Sequence, residues 1–259
     1  MATQLAAQLY TIRDFCRTPA DIAASMKRVA AIGYKAVQAS ALGPIEPREL
    51  KRILDDNGLE CCATHEPLDA LLKQTEAVID KHRVLGCSFT AVGGFFPKAE
   101  EMTEAHWSKF IDDFNQAARK FAGSGVRLGY HNHHHEFASL SGPGSRTIWE
   151  LLIERLSPDV FIEIDTYWVQ HGGGDPAAWI EKLAGRVPCI HLKDMGVAAD
   201  KTHQMRSVGA GNMNFDRILA ASRSADVRWN IVEQDHTYGL DPFDCLKSSL
   251  EWLRARGVQ

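Results

Sequence analysis

Four short apolar runs in this chain each lead into a residue that can bind a metal ion, and in each the polar and aliphatic residues alternate. Gly125-Val126-Arg127-Leu128-Gly129 runs into Tyr130-His131-Asn132-His133-His134-His135-Glu136-Phe137. The other three are Phe161-Ile162-Glu163-Ile164-Asp165, Cys189-Ile190-His191-Leu192-Lys193 and Trp229-Asn230-Ile231-Val232-Glu233. Side chains alternate faces along a strand, so Ile162 and Ile164 point one way and Glu163 and Asp165 the other. The same parity groups His131 with His133 and His191 with Lys193. Four strands that each carry a ligand type at the C-terminal end, opposite their aliphatic face, imply converging strands.

The rest of the chain alternates strand and helix patterns. Strand candidates are Gln4–Leu9, Ala36–Ser40, Glu60–Thr64, Ser88–Gly93, Val126–His131, Val160–Asp165, Val187–Leu192 and Arg228–Glu233. Between them, Thr18-Pro19-Ala20-Asp21, Asp175-Pro176 and Asp241-Pro242 read as helix starts, with Ser145 and Asn214 as further caps. Trp107, Phe110, Ile111, Phe114, Ala117, Ala118 and Phe121 recur at helical spacing within 102–122. Gly33, Gly58, Gly86 and Gly123 mark helix exits. Eight such units predict a single (β/α)8 TIM barrel over 1–259, at a length close to the ~250 residues usual for that fold. An open doubly wound sheet is the structural alternative, but no G-x-G-x-x-G follows the first strand.

Bulk properties narrow the partners. A formal net charge of -4 argues against a nucleic-acid binder, and no apolar run is long enough to span a bilayer. The start, Met1 to Gln8, has no basic or sustained apolar segment, so no signal peptide is expected. Six scattered cysteines without C-x-x-C fit buried free thiols in a reducing cytoplasm. A homo-oligomer is left open.

Strand parity places Gln8, Gln38, His65, His131, His133, Asp165, His191, Lys193 and Glu233 on the inward face. Leu5, Leu9, Val37, Ile162, Ile164, Ile190, Leu192 and Val232 fall outward. Polar groups gathered this densely destabilise a barrel unless each is paired or ligated.

These residues resemble the xylose-isomerase-like β/α barrels, often called sugar phosphate isomerases/epimerases. The carriers are Tyr130-His131-Asn132-His133, Asp165-Thr166, His191-Leu192-Lys193-Asp194, Val208-Gly209-Ala210-Gly211-Asn212 and Glu233, and the resemblance spans essentially the whole chain. It implies one divalent ion held by Glu, Asp, His and Glu from strands five to eight. Asp165, His191 and Glu233 match three of those positions. At the fourth, this chain has His131-Asn132-His133 where the family commonly has Glu-Asn-His.

His131 then replaces the missing glutamate as ligand, as base, or as both; alternatively Glu136 turns back into the site. His134 and His135 read as surface histidines. Lys193 either holds a substrate oxygen or pairs with Asp165 or Glu163. Tyr167 and Trp168 either wall a sugar face or pack their loop, as do Phe95 and Phe96. Catalytic roles are expected for Glu233, His131 and Lys193, and substrate contacts for Gln8, Gln38, His65, His133, Trp168 and Arg206. Two carboxylates with imidazoles suit Mn²⁺, Co²⁺, Zn²⁺ or Fe²⁺ rather than Mg²⁺.

The resemblance implies an isomerase or epimerase that works through an enediolate, with a lyase of the inosose-dehydratase or 3-keto-glycoside type as the alternative. The endonuclease IV relatives of this fold need more ligands and a basic face. Few cations (Lys201, Arg206) and only Gly209-Ala210-Gly211 stand where a phosphate would be cradled, so the expected substrate is an unphosphorylated sugar or keto-sugar.

Overall fold

The protein is described here by a computed structural model covering residues 4–142 and 144–258; Met1 to Thr3, on which part of the leader reading rests, lie outside it, as do Pro143 and Gln259. The strands are β1 (Gln4–Gln8), β2 (Ala36–Ala39), β3 (Glu60–Glu66), β4 (Phe89–Val92), β5 (Arg127–His131), β6 (Phe161–Asp165), β7 (Cys189–Leu192), β8 (Asp194–Val197), β9 (His203–Arg206) and β10 (Trp229–Val232). Eight of them close a parallel barrel in the order β1-β10-β7-β6-β5-β4-β3-β2. The expected single (β/α)8 barrel is therefore what this sequence forms. β8 and β9 pair antiparallel as a hairpin on the mouth, an element that strand alternation did not reveal.

The two faces of the barrel wall separate as parity requires. Leu5, Val37, Ile162, Ile164, Ile190, Leu192 and Val232 join the large apolar layer between wall and helices. Ala6, Ala36, Cys62, Ala63, Phe89, Ala91, Phe161, Cys189, Trp229 and Ile231 fill the floor inside. Phe161 takes so much of that floor that a Cβ on Gly129 would stand 2.3 Å from its ring. Above this plug the interior turns polar.

One irregularity matters for the site. β2 pairs with β3 through Val37↔Cys61 and then Gln38↔Ala63, so β3 carries an extra residue. Cys62 and Ala63 consequently both face the floor, and the alternation restarts with Thr64 outward, bonded to His82, and His65 inward. A bulge of this kind re-aims side chains.

Helix entries follow the sequence signals. Thr18 and Asp21 form a capping box, and Asp175, Asn214 and Asp241 cap their helices with side-chain oxygens. Ser145 does not: that helix, Ile148–Arg155, starts three residues later, where Thr147 and Glu150 build a reciprocal box. The 102–122 helix runs Glu104–Phe121 behind Thr103. All six cysteines are buried free thiols.

Candidate active site

Four side chains meet where β5, β6, β7 and β10 end. One ligand atom from each of His131, Asp165, His191 and Glu233 lies within 4.8 Å of all the others. His131 Nε2 is 3.5 Å and His191 Nδ1 3.8 Å from Asp165 Oδ2, and His191 Nδ1 is 2.8 Å from Glu233 Oε2. Asp165 is aimed by its surroundings. Its N–H donates to Asn132 Oδ1, and its Oδ1 accepts from Trp168 N–H, capping the helix Thr166–His171. Only Oδ2 is left to face the centre.

Asp165 Oδ2, His191 Nδ1, Glu233 Oε2 and both ring nitrogens of His131 are buried and, among the described residues, have no hydrogen bond of acceptable geometry. The two oxygens are ion-paired with Lys193, whereas the ring nitrogens of His131 are left without a hydrogen bond among the described residues, and a buried polar atom without a partner costs on the order of 1–3 kcal/mol. Two oxygens and two imidazole nitrogens converging in this way fit the donor set of a divalent ion of the borderline class. The cluster could hold a metal.

Electrostatics fit the same picture. Burial alone would raise the carboxyl pKa values, but the Lys193 ammonium and the histidines hold Asp165 and Glu233 well below the usual range. Lys193, 1 % exposed, sits 2.9 Å from Asp165 Oδ2, 2.9 Å from Glu233 Oε2 and 2.8 Å from Asp235 Oδ1. Burial, then the charge of His191, keeps His131 below its ordinary value, so it is a neutral imidazole able to ligate. Burial works against the charged form of His191 too, yet Glu163 and Glu233 hold it well above normal; an ion would displace that proton. Over the cluster opens a cavity of about 640 Å³, lined by His65, His131, His133, Lys193, Glu233 and Asp235 among others.

The sequence pattern described as xylose isomerase-like TIM barrel matches residues 26–256. The chain belongs to that family. An inosose dehydratase from Geobacillus kaustophilus is 25% identical over 194 residues, covering 66% of this chain and 61% of that enzyme, so the match spans less than two thirds of the relative's length. The inosose dehydratase of Erwinia tasmaniensis is 22% identical over 268 residues, with 88% of each chain covered. A sugar phosphate isomerase/epimerase from Parabacteroides distasonis superposes with a TM-score of 0.81 at 23% identity, over 100% of this chain and 96% of that one, which shows a shared fold.

Within this xylose isomerase-like barrel, the remaining expected site residues fall at three heights. His65 and His133 line the cavity. Gln8 and Gln38, expected as substrate contacts, are inward but fully buried, bonded to each other at 2.9 Å and outside the cavity lining. Trp168 is half-buried and absent from the cavity wall; it stacks on His134 with ring centroids 5.1 Å apart and lies 5.4 Å from Lys193 Nζ. Arg206, on β9, lines a separate cavity of about 360 Å³ with Tyr238 and Leu240 and not the one over the cluster.

The loop after β5 also corrects its expectations. Glu136 does not enter the site: it is buried behind the strand, accepting from the Tyr130 hydroxyl at 2.7 Å and His133 N–H at 2.9 Å. His134 is exposed, but His135 is half-buried and tied to the Phe95 carbonyl. Phe95 packs on Phe110, whereas Phe96, 66 % exposed, stands at the cavity rim against His133. Lys193 pairs with Asp165, not Glu163.

Two residues were missed. Glu163, fully buried, accepts from Gln38 Nε2 at 2.9 Å and lies 2.6 Å from His65 Nε2; its parity was plain, but it stands one layer below the strand end. Asp235 lies two residues beyond Glu233, and extending that parity past the strand, as for His191 and Lys193, would have found it. The glycine turn is also resolved. Gly209 N–H and Gly211 N–H both donate to Asp194 Oδ2, so these amides tie the turn after β9 to the start of β8 and are not free to cradle a phosphate.

Proposed function

We propose that this protein, with a divalent ion held by His131, Asp165, His191 and Glu233, removes a proton beside the carbonyl of a polyhydroxy ketone and eliminates a β-hydroxyl as water. The observation that carries this reading is the pairing of His131 with Glu233 across the ligand cluster. Of the two carboxylates there, Asp165 is fully buried and caps a helix, while Glu233 lines the cavity. Among the four ligand residues Glu233 is the one carboxylate that lines the cavity, where a two-glutamate epimerase would present a pair of them.

When bound, the ion supplies a Lewis acid that polarises the ketone oxygen and acidifies the neighbouring C–H. Glu233 Oε1 is the base at that C–H in this reading, since Oε2 faces the cluster. Passing the same proton to the departing hydroxyl completes the loss of water: the C–H and C–O bonds break, and a conjugated double bond forms. Lys193 is held by three carboxylates at the cavity wall and donates to a substrate oxygen. His65 and His133 orient hydroxyls from the opposite wall.

An unphosphorylated cyclitol ketone or keto-sugar is the supported substrate class. The glycine-turn amides are committed to Asp194, the cavity's two lysines, Lys81 and Lys193, are each paired with carboxylates, and Arg206 lines a different cavity. The inosose dehydratases among the relatives agree with that class. A second reading, epimerisation or isomerisation without elimination, draws on His65, which lines the cavity and is paired with Glu163 as a second proton-handling group.

Inososes, ketoses, aldoses and 3-keto-glycosides incubated with Mn²⁺ in D₂O separate the two. Loss of water and a conjugated enone absorbance support elimination. Deuterium uptake with the carbon skeleton and all hydroxyls retained supports the epimerase, and neither outcome with any substrate rejects the enolisation reading. Glu233→Gln keeps an oxygen for the metal, so metal should stay bound while C–H exchange collapses.

A further inference from the structure

Beneath the ligand cluster, Gln8, Gln38 and Glu163 are each 0 % exposed, and their hydrogen bonds can run in only one direction. Glu163 is a carboxylate and accepts. Gln38 must therefore turn its amide nitrogen to Glu163 Oε1, at 2.9 Å, which points Gln38 Oε1 the other way. There it receives two donors: Gln8 Nε2 at 2.9 Å and His191 Nε2 at 2.7 Å. Gln8 cannot reverse, because its own Oε1 accepts from Tyr10 N–H. Flipping Gln38 would set an amide nitrogen against two donors and an oxygen against a carboxylate, at a position that is 0 % exposed.

We infer that Gln38 is a positioning residue: held by Glu163 and Gln8, it keeps the proton of His191 on Nε2 and so presents Nδ1 to the metal. Nδ1 is the nitrogen on the cluster side, 2.8 Å from Glu233 Oε2 and without a hydrogen bond. Partners of this kind fix both the ring orientation and the nitrogen that binds. The inference rests on the metal-binding reading of the site and is independent of the substrate.

The test uses the full chain and Zn²⁺ alone, a diamagnetic probe. Long-range ¹H–¹⁵N spectra of histidine-labelled protein report which His191 nitrogen carries the proton and which the zinc; chelator competition reports the Kd. In the wild type, Nε2 should be protonated and slow to exchange, and Nδ1 zinc-bound. Gln38→Met should raise the zinc Kd about 10- to 100-fold and bring the Nε2 proton into rapid exchange. Gln8→Met, which leaves the His191 bond in place, should change the Kd less than about threefold. Zinc on Nε2 in the wild type overturns the inference without any variant. So does a Gln38→Met protein that binds zinc within about threefold of wild type, and in both cases the metal-binding reading survives. Failure of the wild type to bind zinc removes both.

Discussion

Replacing Glu136 by Gln should remove a pH-dependent loss of stability built into the loop after β5. Glu136 is 0 % exposed, and burial pushes its carboxyl up to about 7, although the hydrogen bonds from Tyr130 and His133 pull the other way. In the unfolded chain the group titrates near 4.5. The sign follows from proton counting. Between those values the native state holds a proton that the unfolded state has lost, so stability is fully present below about 4.5 and is lost as pH rises through about 7. A gap of about 2.5 pKa units at 1.36 kcal/mol each is on the order of 3 kcal/mol.

Glutamine copies the protonated acid: its Oε1 can accept from His133 N–H while its Nε2 donates to the Tyr130 oxygen. The stability of the variant minus that of wild type should therefore grow by about 2.5 kcal/mol between pH 5 and pH 8. Urea titrations followed by circular dichroism across that range supply the difference, in which the titration of neighbouring histidines cancels. A difference flat to within about 0.5 kcal/mol would refute the reasoning. So would a Glu136 carboxyl ¹³C titration with its midpoint below about 5.

Asp165→Ala should abolish stoichiometric divalent-metal binding measured by calorimetry; full occupancy in that variant would remove Asp165 from the ligand set. Lys193→Met strips the ammonium from Asp165, Glu233 and Asp235 and should destabilise the metal-free protein by about 3–5 kcal/mol. Added Mn²⁺ should then raise the Tm of this variant more than that of wild type, and an equal rise counts against the bridging role. Thr147→Ala should cost about 1 kcal/mol in a urea titration, whereas Ser145→Ala should be nearly silent, because only Thr147 caps the helix.

Strand parity was the legible part of this chain, and its limits explain what was missed. Alternation separates inward from outward residues, so the wall of Ile162, Ile164, Ile190 and Leu192 was readable along with the polar interior. It does not give height along the barrel axis. Gln8 and Gln38 passed for substrate contacts because their depth depends on how neighbouring strands are staggered, which emerges only on closure: Gln38 pairs with Gln8 on one side and Ala63 on the other. Glu163 shares the inward parity of Asp165 but was left out of the expected site, because its contacts with Gln38 and His65 form only on closure of the barrel. The β8–β9 hairpin lacks strong alternation, and Asp194 at its start accepts from Met195 N–H and from three backbone amides of the segment after β9, a tertiary device with no local signature. The histidine run after β5 was conspicuous, but its geometry depends on Glu136 turning back behind the strand and not into the site.

The substitution at the end of β5 is the feature most open to a decisive perturbation. With His131, the cluster offers two carboxylates and two imidazoles; the pattern common in the family offers three carboxylates and one imidazole. His131→Glu would restore that pattern in a setting built for a neutral ring. His131 is 3 % exposed, its ring nitrogens make no hydrogen bond among the described residues, and its Nε2 sits 3.5 Å from Asp165 Oδ2. A carboxylate placed there adds a buried negative charge next to two others, and Lys193 already serves three. Without metal the variant should be less stable by about 3–5 kcal/mol, the usual penalty for an uncompensated buried charge. With metal the penalty should shrink, because the ion neutralises the added charge. Replacing a nitrogen donor by oxygen should also lower the ratio of Zn²⁺ to Mg²⁺ affinity, since the harder ion gains most from an oxygen-rich shell. Thermal unfolding with and without each ion, together with competition binding, reads both effects. If the metal-free variant matches wild-type stability and the zinc-to-magnesium ratio does not move, position 131 does not face the ion, and the ligand set must be completed from elsewhere in the cavity.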